Sequence, residues 1–203
     1  MPTSTITSTR KPRGQGASRR AEILAAATRI FLEEGVAHAT MRRIAAAVGV
    51  SATALYVYFP DKDAILRAIA EATFAELLQA LEASKHGPGA AAERFRAGLH
   101  AYVAFGLRHA DAYRLTFSAP LSASIPCDGI ADADHSFAIL QRGIEEGMAD
   151  GTFRPGPSAP AAEAVWACLH GITALLLDQA QHLETAPAEL ASRVIDTAIA
   201  GLR

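Results

Sequence analysis

The chain has 203 residues, 50% of them hydrophobic and 20% charged, with a formal net charge of -2. That is enough apolar material for one compact unit or two small ones, and too much for a wholly disordered chain. The proline-free stretches without a charge reach 16 residues at Ile44 to Phe59 and 14 at Ala164 to Leu177, short of the roughly 18 that a membrane helix needs, and this predicts a soluble protein. Cys127 and Cys168 lie 41 positions apart, which matches neither a zinc spacing nor a disulfide framework and predicts a reducing cytoplasm. The first twenty residues hold only Ile6 as a sizeable aliphatic after Met1, so no secretory signal is expected.

The small net charge hides a division. Residues 1–62 carry nine Lys or Arg against four acids, a balance of +5, so the remainder of a chain at -2 stands at -7. A basic N-terminal third points to a polyanionic partner, and an acidic body to a part that stays off it. A merely solvated basic surface is the plainer alternative.

In chain order, residues 1–17 are rich in Thr, Ser, Gly and Pro, with Arg10, Lys11 and Arg13, and read as a mobile basic tail. Ile23, Leu24, Ala27, Ile30 and Phe31 recur at helical spacing, with Ser18 as a cap and Gly35 as a stop. Thr40 can cap a second helix through Val48, and Ser51 a third through Tyr58, before Pro60 and Asp61 open a fourth to about Ser84. His86-Gly-Pro-Gly is a break. Beyond it, helices are predicted over 91–109, 111–117, 130–151, 161–182 and 187–202. No run alternates like a strand and no repeat of fixed period occurs, so the fold class is all-α with about nine helices. The predicted organisation is a tail over 1–17, a small unit over 18–62 and a larger helical domain over 63–203.

Met41 to Phe59 is the informative stretch. Ile44 and Val48 give the first short helix an inner face, Gly49 stands where the chain must reverse, and Val50 and Leu55 close a miniature core. Two short helices joined by a glycine-containing turn make a helix-turn-helix, whose second helix can enter a DNA major groove. An ordinary helical hairpin would not need so short a second helix with small Ser51, Ala52 and Thr53 outside.

Thr40, Arg42, Ile44, Ala45, Gly49, Val50, the run Leu55-Tyr-Val-Tyr-Phe-Pro-Asp-Lys62 and Ile65-Leu66 together resemble the signature of the TetR family of bacterial transcriptional regulators. Tyr58 stands where many members have histidine. Ala101-Tyr102, His109 to Phe117 and Trp166-Ala-Cys-Leu-His170-Gly171 are similar to the subgroup named for its Trp/His-Gly motif.

The resemblance implies roles. Thr40, Tyr56, Tyr58 and Lys62 should grip phosphates, with Arg42 and Arg43 close enough to join them. Base reading falls to Ser51, Ala52, Thr53 and Val57, a set without Arg, Asn or Gln for a bidentate contact. The segment Arg10 to Arg20 is a candidate minor-groove arm, or a tail with only nonspecific attraction. The C-terminal region should dimerise through its last two helices, with Leu169, Leu176, Ile195 and Ile199 on the apolar faces, and enclose a pocket for an effector. Tyr102, Phe117, Phe137, Gln141, Ile144, Trp166 and His170 are its candidate lining, against a core role for each. Tyr102, Gln141 and His170 stand out as polar groups among apolar walls, which suggests a largely apolar or aromatic effector.

Asp128, Asp132 and His135 fall on one helical face and could hold a metal, although acids in a first helical turn are ordinary dipole partners. No basic cluster adjoins either cysteine in sequence to activate it as a redox switch. No nucleophile elbow, phosphate loop or HExxH motif is present, so neither an enzyme nor a cofactor is expected. The reading is a homodimeric, cytoplasmic, ligand-responsive repressor released from a palindromic double-stranded DNA operator. The rivals are a helical protein-interaction module and an all-α enzyme. Operator, effector, regulated genes and the sign of regulation stay open.

Overall fold

The computed structural model describes residues 15–85, 90–117 and 129–203. Its helices are α1 (Gln15–Glu34), α2 (Met41–Ala47), α3 (Ala52–Tyr58), α4 (Lys62–Lys85), α5 (Ala91–Arg108), α6 (Ala110–Phe117), α7 (Ala131–Ala149), α8 (Ser158–Asp178) and α9 (Pro187–Ala200), with a 3-10 turn at Ala180–His182. No strand occurs among the described residues. The chain divides into two compact units, one ending at Ile65 and one beginning at Leu66, and α4 runs through the boundary.

In the first unit Ile23, Ala27, Ile30 and Phe31 of α1 are buried with Ile44, Ala45, Leu55 and Phe59. α1 begins three residues before the expected cap, and Ser18 donates to Glu22 Oε1 at 3.4 Å instead of closing the helix end. Thr40 and Ser51 do cap, accepting from the Arg43 and Ala54 amides at 3.2 and 3.1 Å. Between them Gly49 takes φ +67°, which lets the Val50 amide reach back to the Ala45 carbonyl at 3.0 Å and terminates α2.

In the second unit α8 packs on α5, α7 and α9, and α5 also packs on α7 and α9. α8 starts at Ser158 rather than 161, and the predicted single helix to His182 breaks at Asp178 into the 3-10 turn. By length and composition α8 is apolar enough to cross a membrane, with mean hydropathy 1.4, which the 14-residue uncharged run did not suggest. A third of that apolar window is buried within the chain, on the side that packs against α5, α7 and α9. The same packing corrects the expected dimer face. Leu169, Leu176, Ile195 and Ile199 are buried within the protomer, whereas Ala164, Ala167, Cys168 and Gly171 of α8 are exposed.

α5 lies tight against α8 at Gly106, where a Cβ would collide with Cγ2 of the buried Thr173 and lie 3.1 Å from Cδ2 of Tyr113. Thr173 is held by its hydroxyl donating to the Leu169 carbonyl at 2.7 Å. Gly106→Ala should therefore destabilise the protein by about 1–3 kcal/mol, read as a lower midpoint in urea unfolding. An unchanged midpoint would show that the two helices can separate without cost.

Candidate nucleic-acid interface and ligand cavity

The helix-turn-helix presents α3 to solvent. Val57 is 82% and Tyr56 52% exposed, Ser51 and Thr53 are also exposed, and Ala52 and Tyr58 are half-buried. An apolar valine standing clear of the core on a seven-residue helix suits contact with a thymine methyl. Neither α2 nor α3 contains an acid, so this surface offers phosphates no like charge of its own. Arg42 is exposed and makes no ion pair among the described residues. Arg43 is instead tied to Glu34 at 2.8 Å.

The other expected basic contacts are spent on backbone. Lys62 Nζ donates to the Val36 carbonyl at 2.5 Å and the Ala39 carbonyl at 3.4 Å, pinning the turn between α1 and α2, so its charge does not stand free for a phosphate. Arg19 bonds Glu22 at 2.6 Å and donates to the Val48 carbonyl at 3.3 Å, where α2 ends. Arg20 reaches the Tyr58 carbonyl at 3.5 Å and lies over the Phe59 ring at 4.3 Å. Both arginines belong to α1 and brace the ends of α2 and α3, where a cation meets the negative end of a helix. They are no minor-groove arm; Arg10, Lys11 and Arg13 lie outside the described residues. Nothing in the sequence flagged these braces, because 38 residues separate Arg20 from Tyr58.

The second unit holds a partly open cavity of about 960 Å³ walled by α4, α5, α6, α7 and α8. Tyr102, Phe117, Phe137, Trp166 and His170 line it, with Phe74 and Phe95. Two predicted residues do not. Gln141 turns its amide to Glu145 and Ser158, 3.0 Å from each, and Ile144 is wholly buried in the core. The rings meet largely edge to face: Phe74 on Phe117 at 5.2 Å, Phe117 on His170 at 5.5 Å and Phe137 on Trp166 at 6.4 Å.

One hydrogen-bonded cluster interrupts this aromatic wall. Tyr113 Oη lies 2.8 Å from His170 Nδ1, and Tyr102 Oη lies 3.2 Å from Tyr113 Oη and 3.4 Å from Nδ1. Burial raises both phenol pKa values, so both stay protonated. Burial also lowers the His170 pKa, against a smaller opposing effect from a backbone hydrogen bond to Phe117. In the tautomer that carries its proton on Nε2, Nδ1 accepts and Tyr113 is its closest donor. Sequence reading missed Tyr113 as the link.

Two expectations stay open. Asp128 and Cys127 lie outside the described residues. His135 Nε2 faces Glu82 at 3.8 Å, and no group of three potential metal ligands occurs among the described residues. Cys168 is exposed.

A helix-turn-helix with an acid-free reading surface, followed in one chain by a helical unit around an apolar cavity, defines a one-component DNA-binding regulator. Residues 23–69 match the family described as bacterial regulatory proteins, tetR family, and residues 95–198 match the tetracyclin repressor-like C-terminal domain. The chain belongs to the TetR family, whose members are transcriptional regulators rather than enzymes. A tetR-family regulatory protein from Rhodococcus RHA1 is 26% identical, with 91% of this chain and 96% of that one covered at TM-score 0.78. A Rhodococcus protein of unknown function is 30% identical over 95% and 99% at TM-score 0.72. An HTH-type transcriptional repressor of Mycobacterium tuberculosis is 46% identical over 54 residues, which span only 27% of this chain and 29% of that repressor.

The depressed His170 pKa has a pH consequence. Folding favours the neutral ring, so its contribution to stability is present above the ordinary histidine pKa of roughly 6.5 and lost as pH falls through and below it. The thermal midpoint should drop between about pH 7.5 and 5.5, and His170→Gln should flatten that drop. Equal slopes in the two proteins would mean that the ring takes up its proton in the folded state without penalty.

Proposed function

We propose that this regulator is a cytoplasmic homodimeric repressor that leaves a palindromic operator when a small, largely apolar effector fills the cavity of its second unit. The observation that carries the reading is the pairing in one chain of an exposed reading helix with an aromatic-walled cavity of about 960 Å³. Ligand sites are of that size and character. Helix α4 joins the two units covalently and contributes Phe74, Leu77 and Leu81 to the wall. An effector favouring one arrangement of this helix therefore has a route to the DNA-binding unit.

The outward face of α8 supports the dimer. Ala164, Ala167, Cys168 and Gly171 are small enough to let a second copy approach closely, and two-fold pairing suits two half-sites roughly 34 Å apart. Repression rather than activation draws on the likeness of the N-terminal segment to the mycobacterial repressor.

The division between free and committed cations tests the interface. Arg42→Ala should weaken binding to operator and random duplexes alike and make the salt dependence shallower by about one unit, as one phosphate contact requires. Lys62→Ala should lower the thermal midpoint and change the salt slope little. Fluorescence anisotropy across a salt series, with melting curves for both variants, checks this. The outcome against the assignment is a unit loss of slope at Lys62 and none at Arg42, and absence of DNA binding by the parent protein would leave an interaction module in its place.

A further inference from the structure

The polar groups on the cavity wall differ in how firmly they are engaged. Ser84, Ser136 and Thr116 hydroxyls donate to the Leu81 carbonyl at 2.6 Å, the Asp132 carbonyl at 2.7 Å and the Thr73 hydroxyl at 3.4 Å. The shortest contact in the phenol–imidazole cluster is Tyr113 Oη to His170 Nδ1, at 2.8 Å. Tyr102 Oη has longer contacts, 3.2 Å to Tyr113 and 3.4 Å to the same nitrogen, and also accepts from the Trp166 indole. Within the phenol–imidazole cluster its hydroxyl is the group that a guest can engage at least cost.

The wall also carries five charged side chains, Lys85, Arg94, Asp134, Arg142 and Glu146, on α4, α5 and α7. Arg94 stands eight residues before Tyr102 on α5, roughly 12 Å along the axis. Lys85 is paired with Glu82 at 3.0 Å. Asp134, Arg142 and Glu146 are exposed on α7. The hydrogen-bonded cluster around Tyr102 consists of two phenols and an imidazole, none of them a permanent charge. An anion placed there would be buried without a counter-charge, which costs far more than one hydrogen bond returns.

We infer that the cavity is built for an uncharged aromatic molecule carrying one hydrogen-bond-accepting oxygen, which lies among Phe117, Phe137 and Trp166 and receives the Tyr102 hydroxyl proton. This rests on reading the cavity as the effector site. The aromatic preference follows from the edge-to-face ring wall, which a planar guest extends. The requirement for an acceptor follows from Tyr102, and the exclusion of charge from the neutral cluster.

Three near-isosteric probes separate the parts of the inference: benzophenone with its carbonyl, diphenylmethane without it, and diphenylacetate with an anion. Affinity is measured by equilibrium dialysis, with emission of Trp166, the only tryptophan in the chain, as a second readout. Benzophenone should bind roughly 3- to 10-fold more tightly than diphenylmethane, the worth of one neutral hydrogen bond, and diphenylacetate should bind weakest. Tyr102→Phe should erase the preference for benzophenone while leaving diphenylmethane affinity unchanged, a ratio that general loosening of the fold does not move. Tyr113→Phe, which keeps Tyr102, should preserve most of the preference if Tyr102→Phe proves too unstable to titrate. Tightest binding of diphenylacetate, or a ratio unaltered in Tyr102→Phe, overturns the inference. Equal binding of all three also overturns it but leaves an apolar effector cavity standing, whereas no binding and no change in Trp166 emission removes both.

Discussion

The second unit depends on how closely α5 and α8 approach. Gly106 removes the side chain that would meet Thr173, and the buried Tyr113 ring packs into the same place. One turn away the same helices carry Tyr102 and His170, both on the cavity wall. The Tyr113–His170 hydrogen bond fastens α6 to α8 beside this crossing. The close approach at one level brings Tyr102 and His170 within 3.4 Å of each other at the next, on the wall of the cavity. The cavity is thus a consequence of packing that is tight nearby, and a side chain at position 106 would disturb both.

The first unit is held by a different economy. Its core is small, and three cations complete it by bonding to carbonyls: Arg19 on Val48, Arg20 on Tyr58 and Lys62 on Val36 and Ala39. Each occupies a carbonyl near a helix end or turn that short helices cannot satisfy internally. Basic residues that looked available for DNA are thereby committed to rigidity, which leaves Arg42, helix-capping hydroxyls and the exposed face of α3 for the duplex. With so few direct base contacts on offer, discrimination among sequences has to draw on DNA shape and deformability as well.

The helix-turn-helix was legible because its determinants are local. Thr40, Gly49 and Ser51 act on backbone within five residues of themselves, and their geometry follows the pattern the sequence suggests. Aromatic residues of the cavity were legible as large side chains on helical faces, so Phe117, Phe137, Trp166, Tyr102 and His170 were found. Gln141 and Ile144 were not separable from them, because the rotation of α7 about its axis is decided by packing on α5 and α8 rather than by its own periodicity. The apolar residues of α8 and α9 misled for the same reason: periodicity identifies a buried face without saying whether the same chain or a second copy buries it. The Arg20 and Lys62 braces span 38 and 26 residues and leave no periodic trace.

For the proposed effector switch, magnitudes assign the cavity's parts separate duties. Moving a two-state protein from 1:99 to 99:1 takes a differential binding energy of about 5.5 kcal/mol. One hydrogen bond from Tyr102 supplies about 1 kcal/mol of it. The remaining 4.5 or so corresponds to about 180 Å² of apolar surface buried in one state and not the other, at about 25 cal/mol per Å². Only the aromatic wall can provide such an area, so the wall must carry the switching energy while the phenol–imidazole cluster chooses which apolar molecules exploit it. Stronger polar engagement would not serve better, because each additional buried group must find a partner in the empty cavity as well. A network that satisfies itself through Tyr113 and His170, and holds Tyr102 only loosely, meets both conditions.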